Sequence, residues 1–145
     1  MYAIRNQRTI AAPVVVEGVG YWSGCDVRVE FRPAEANTGV VFVRSDLKDC
    51  PRIPATVEYR VEIPRRTVLQ NGEASVEMVE HIMAALPGLQ IDNCELWVNQ
   101  AEMPGCDGSS QPFVEALCAT GMVEQNAIRH RHVIRSPIRM GNSDS

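Results

Sequence analysis

No stretch of this 145-residue chain is apolar for long enough to cross a bilayer as a helix, so a helical membrane span is excluded. The opening MYAIRNQRTI has no apolar core of the kind a secretory leader needs, and the expected location is the cytoplasm. Positive charge is not in excess. The formal net charge is −4, which argues against non-specific nucleic-acid binding as the main task. No C-x-x-C pair occurs, and the five cysteines (Cys25, Cys50, Cys94, Cys106, Cys118) are odd in number and scattered. That pattern argues against a disulfide framework or a cysteine zinc site, and it fits reduced thiols. Repeats, low-complexity tracts and linkers are also lacking. What remains is an ordinary globular composition, 45% apolar and 22% charged, at the size of one domain with a real core.

The hydropathy pattern begins with strands. RTIAAPVVV (8–16) reads as a first strand that Pro13 puts at an edge or bulge, and the glycine-rich turn EGVGYWSG (17–24) follows. VRVEFRPA (27–34) alternates apolar with charged residues, as a half-buried strand does, and after the turn NTG the run VVFVR (40–44) reads as its hairpin partner. PATVEYRVE (54–62) and RTVLQ (66–70) add two strands, with NG (71–72) as the turn before a helix. That helix is predicted from about Ser75, as N-cap, to Leu86, where PG stops it. IDNCELWVN (91–99) is a strand and QPFVEALCAT (111–120) a second helix, capped by Ser109 or Ser110, with Pro112 in its first turn and Gly121 closing it. The tail from residue 128 begins as a strand, and GNSDS frays. The order predicts an α+β fold, a mostly antiparallel sheet covered on one face by two helices.

On a helical wheel, Val76, Val79, Ile82, Met83 and Leu86 share one face, and Met78 and Ala85 widen the apolar arc. The remaining stripe is Glu77, Glu80 and His81, with no lysine or arginine at i+4 to pair with the glutamates. Two readings stand side by side. The stripe is a solvated carboxylate pair beside a histidine, or Glu80 and His81 are half of a zinc site. In the second reading an imidazole binds the metal and the neighbouring carboxylate serves as general base.

VEHIMAALPGLQIDN (79–93) resembles the signature V-E-H-L-x-A-A-L-x-G-L-x-I-D-N of the zinc-dependent UDP-(3-O-acyl)-N-acetylglucosamine deacetylases of lipid A biosynthesis. GVGYWSG (18–24) resembles that family's G-x-G-L-H-[ST]-G turn, and FRPAEANTGVVFVRSDL (31–47) resembles its R-P-A-x-x-[ND]-T-G-[IV]-x-[FY]-x-R-x-D-L. TVL (67–69) is similar to the short strand before its helix, and NQAEMPGCDGSSQPFVEAL (99–117) to N-x-x-E-[IV]-P-x-x-D-G-S-x-x-P-F-V. The likeness runs from about residue 8 to residue 120 and covers the first half of the family enzyme. It implies the first of two duplicated α+β domains, helix layer against helix layer, with residues 1–128 as that domain and 129–145 as a strand and tail.

The resemblance also implies roles. Glu80 falls on the general base and His81 on a zinc ligand, while Thr67 and Leu69 fall near substrate. Zinc would be completed by ligands from a second domain or subunit, through an H-K-x-x-D motif that this sequence does not contain. The implied substrate is an acylated UDP-N-acetylglucosamine, from which acetate is removed. The alternative is a non-catalytic relative acting in binding or assembly as a homodimer. Trp22 departs from the turn motif's histidine, and Glu77 and Met78 from the serine and threonine that precede V-E-H.

Other features have simpler readings. Asp107, Gly108 and Ser109 suit a tight turn and a helix cap, Asn93 and Asn99 a turn and a strand end, and Cys106 a small loop residue. His130 and His132 would share a face of a tail strand, open to metal chelation. Arg129, Arg131, Arg135 and Arg139 make that tail basic, as a solvated edge or a phosphate contact. Finally, the apolar helix arcs, including Phe113, Val114, Ala116, Leu117 and Cys118, predict an exposed patch that a homodimer or heterodimer would cover.

Overall fold

The computed structural model describes residues 4–141, and the fold is α+β. Five strands form the main sheet: β2 (Val14–Val19), β3 (Asp26–Pro33), β4 (Val40–Arg44), β5 (Arg52–Pro54) and β9 (Cys94–Val98). Their order is β2-β3-β9-β4-β5, and only the β4–β9 pair is parallel. The helices α1 (Glu80–Gly88) and α2 (Gln111–Thr120) cover one face. Alternation explains which face. Val27, Val29 and Phe31 of β3 and Cys94, Leu96 and Val98 of β9 are buried, while Arg28, Glu30 and Arg32 point away. From the helices, Ile82, Ala85, Leu86, Phe113 and Leu117 complete this core, and Phe113 meets Phe31 at 6.3 Å between ring centroids.

Two small sheets flank it. β1 (Asn6–Ile10) pairs antiparallel with β10 (Met122–Ile128), and β6 (Arg60–Ile63), β7 (Arg66–Asn71) and β8 (Ala74–Glu77) form a three-stranded meander. All five cysteines are free thiols. Burial pushes the Cys94 thiol up to about 12. No helix among the described residues is long and apolar enough to cross a membrane.

Several expectations are corrected. The first strand is two, because the chain breaks pairing at Pro13, which has no N–H to donate. VVFVR is not the hairpin partner of β3, since β9 lies between them; a period of two selects a face, not a neighbour. A 3-10 turn at Val57–Tyr59 interrupts the strand expected over 54–62. The first helix begins five residues later than predicted. Ala74–Glu77 is a strand with Ala74 and Val76 buried, so Ser75 is no cap and Val76 belongs to β8. The NG turn closes the β7–β8 hairpin instead, with Gly72 at φ +60° as the first loop residue.

Pro87 lies within α1, which ends at Gly88. The tail strand is also displaced. β10 starts at Met122, and His130 and His132 lie in no strand, so the shared face that chelation needs is not formed. The fraying expected of GNSDS concerns Asn142–Ser145, which lie outside the described residues. The exposed helix patch is not found either: Phe113 and Leu117 are fully buried, and no large apolar side chain of α1 or α2 is strongly exposed.

Asn93 does more than turn the chain. It is 1% exposed, donates to Gln7 Oε1 at 2.8 Å and Gln125 Oε1 at 2.7 Å, and accepts the Gly39 N–H at 2.8 Å. It thereby joins β1, β10 and the turn before β4. Asn93→Ala leaves these buried groups unpaired and is expected to destabilise the fold by about 2–3 kcal/mol. The check is a lower urea midpoint with an unchanged denaturant slope.

Candidate functional site

The site forms where β8 turns into α1. Met78, between them, has φ +59°, a left-handed conformation that costs a non-glycine residue roughly 1–2 kcal/mol and swings the chain sharply from strand to helix. Its N–H donates to Thr67 O of β7 at 3.1 Å. Glu80 is the first residue of α1, and its Oε1 accepts the Thr67 N–H. One residue of β7 therefore holds both sides of the bend. Glu80 is exposed and His81 half-buried.

His81 lines a cleft of about 200 Å³ with Tyr21, Met78, Met103, Pro104, Gly105 and Gly108. The walls are mostly apolar, and the imidazole shares the lining with one other ionisable side chain, the Tyr21 phenol. Of the pair named from the sequence, His81 thus stands at a groove, and Glu80 precedes it in the chain. Of the two residues near substrate in the resemblance, Thr67 touches Glu80 through its backbone, and Leu69 has its side chain buried in the core.

Sequence reasoning did not single out Glu102. It is 3% exposed, and Oε1 accepts the Trp22 N–H at 2.7 Å while Oε2 accepts the Ser23 N–H at 2.8 Å. Burial pushes its carboxyl up. Hydrogen bonds from the Ser23 hydroxyl and from the backbone of Trp22, Ser23 and Tyr21 outweigh that effect and hold it below the ordinary carboxylate value. A Cβ on Gly20 would lie 2.5 Å from Glu102 Oε2 and 2.3 Å from Ser23 Oγ, so the turn needs glycine there. The signal was in the sequence: a lone carboxylate in AEMPG among apolar residues. The loop carrying it runs beside β8, with the Glu77 N–H donating to Ala101 O at 2.8 Å and the Met103 N–H to Glu77 O at 3.0 Å. Glu102 therefore ties the glycine turn, and with it Tyr21, to the β8–α1 bend.

The Asp107 loop is built as a turn and a cap. Ser109 donates its N–H and hydroxyl to Asp107 Oδ1 at 2.9 Å and 2.8 Å, and its Oγ accepts the Gln111 N–H at 3.1 Å. Ser110 holds the cap position without a side-chain bond. The Ser109 hydroxyl, then its N–H, lower the Asp107 carboxyl, and nearby His81 acts in the same direction. Among the described residues no group of three or more His, Cys, Asp or Glu side chains could hold a metal ion. His81 is thus a single donor, and zinc would need ligands from elsewhere.

Glu102→Gln is expected to cost about 2 kcal/mol near neutral pH, because an amide cannot accept at both positions. The folded carboxyl lies below its unfolded value of about 4.3, so its stabilisation is present above that pH and is lost as pH falls through the folded value. Unfolding curves across pH should show a constant gap between parent and variant at neutrality, closing below about pH 4.

Comparison with known proteins places this geometry. The chain is 41% identical over 139 residues to the bifunctional enzyme LpxC/FabZ of Chlorobaculum tepidum, covering 96% of this chain and 30% of that protein. It is 42% identical over 135 residues to the UDP-3-O-acyl-N-acetylglucosamine deacetylase of Legionella pneumophila, covering 93% of this chain and 44% of the relative. The deacetylase of the same name from Myxococcus xanthus is 40% identical over 139 residues, 96% of this chain and 44% of its own length. The chain therefore spans less than half the length of these curated relatives. A family model described as UDP-3-O-acyl N-acetylglycosamine deacetylase matches residues 7–145. By that match, and by its identity to these relatives, this chain belongs to the UDP-3-O-acyl N-acetylglycosamine deacetylase family.

Proposed function

We propose that this chain supplies the first half of a zinc-dependent deacetylase site, which removes acetate from an acylated UDP-N-acetylglucosamine in lipid A biosynthesis. Residues 1–128 act as the domain, and 129–145 as a tail segment leading from it. The observation that carries the reading is the anchored pair: Glu80, tied to the Thr67 N–H, adjoins His81 at the mouth of the cleft. His81 donates one nitrogen, and zinc, when further ligands complete the site, supplies Lewis acidity toward the amide carbonyl. Glu80 takes a proton from the attacking water as the new C–O bond forms. The C–N bond then breaks, the amine leaves with a proton, and acetate is the other product. The Thr67 anchor leaves one carboxylate oxygen free for that transfer and fixes its direction. The reaction belongs in the cytoplasm, where the free thiols stay reduced, and it requires a completing domain or subunit packed on the helix side.

The 145-residue chain is expected to bind zinc weakly and to leave the acylated UDP-sugar unchanged. Joined with the second half of a full-length relative, it should gain zinc and turnover. His81→Ala should then lose zinc by metal analysis. Glu80→Gln should keep it while kcat falls about 10²–10⁴-fold. Turnover by the chain alone would sink the divided site.

A further inference from the structure

At the far end of α1 from the Glu80–His81 pair, one carboxylate gathers three segments of the chain. Asp92 accepts from Nη1 and Nη2 of Arg5 at 2.6 Å and 2.9 Å, from the Arg8 N–H at 2.9 Å and from Arg129 Nε at 2.7 Å. Arg5 leads into β1, Arg8 lies within it, and Arg129 follows the last residue of β10. Backbone bonds close the same ring: the Arg129 N–H donates to Arg5 O at 3.0 Å, and the Asp92 N–H to Arg8 O at 2.8 Å. Burial pushes the Asp92 carboxyl up, but Arg5, the Arg8 N–H and Arg129 outweigh it and hold the group below the ordinary carboxylate value.

Asp92 is fixed to the helix as well. The N–H groups of Leu89, Gln90 and Ile91 donate to the carbonyls of Ala85, Pro87 and Leu86 at 3.1, 3.0 and 2.9 Å, folding the chain back on the last turn of α1. Gln90 takes the left-handed conformation in this return, φ +60°, and Ile91 is buried. The nine-residue helix is therefore a stiff arm about 13 Å long, with His81 near one end and the clamp at the other. The clamp also sits where the β1–β10 pairing ends. Residues 130–141 join no strand or helix and are exposed, with Val133, Ile134, Ile138 and Met140 open at 58% to 94%. Four open apolar side chains suit a segment that a further domain covers.

We infer that Asp92 is a positioning residue: by holding Arg129 against the end of α1, it sets the direction in which the tail leaves the domain, and so where the completing half meets His81. This rests on the divided site proposed above. A swing of about 10° in that exit, carried along the arm, shifts the meeting point by about 2 Å. A zinc bond tolerates roughly 0.2 Å.

The test uses the chain joined with the second half of a full-length relative and reads zinc affinity, kcat, KM and urea midpoint separately. Arg129→Gln removes an arm of the clamp that is about half exposed, so the urea midpoint should stay in place. Zinc affinity and kcat should nevertheless fall roughly tenfold, with KM little moved. Arg129→Lys keeps the charge but not the planar Nε–H, and should recover part of the loss. Asp92→Asn should lose more than either, and Arg135→Gln, further along the same tail, should lose nothing. In the 145-residue chain alone, residual dipolar couplings of the Arg129 and His130 amides should shrink in Arg129→Gln while those of β10 stay. Parent-like zinc affinity and kcat in both Arg129→Gln and Asp92→Asn overturn the positioning role. So does a zinc loss that tracks a lower urea midpoint, or one that Arg135→Gln reproduces. His81 separates the two ideas: zinc that survives His81→Ala takes down the divided site and this role with it. Zinc lost in His81→Ala but kept in the Arg129 and Asp92 variants removes the positioning role alone.

Discussion

The arrangement depends on a buried carboxylate that has traded water for backbone. Glu102 could not remain ionised at 3% exposure without replacement donors, and the turn at Gly20–Ser23 supplies them. Each partner needs the other. The turn's N–H groups have no ladder to join, and the carboxylate has no solvent. Satisfying both pins Tyr21 and Trp22 against the loop that runs beside β8. The position of the His81 cleft follows from that bond.

A second constraint acts at the same place. Met78 in a left-handed conformation converts an extended chain into a helix within one residue, with no capping side chain to ease the change. The strain is held by β7, where Thr67 bonds Met78 through its carbonyl and Glu80 through its N–H. Glu80 is therefore a fixed carboxylate on a rigid bend, unlike a freely rotating side chain of a solvated helix.

Where sequence reasoning slipped, the slip was physical. Val76, Val79 and Met83 satisfy a helical period, yet Ala74 and Val76 also satisfy a strand period, and four residues cannot separate the two. The β7 edge decided in favour of a strand, by offering hydrogen bonds that a helix would have wasted. In the same way β9, formed far along the chain, entered between β3 and β4, which local pattern had paired. Phe113 and Leu117 were expected at an open face, but Phe31 and its neighbours on the sheet took them in.

From the order of residues alone came the α+β class, the faces of β3 and β9, the second helix, and the Glu80–His81 pair as a candidate site. These depend on alternation, local turn chemistry and motif spacing, all of which act over a few residues. Only the tertiary structure could decide that Glu102 organises the glycine turn and that Asn93 joins three elements. Those partners lie tens of residues apart, and hydrogen-bond directions and ring contacts exist only once the chain has closed around them.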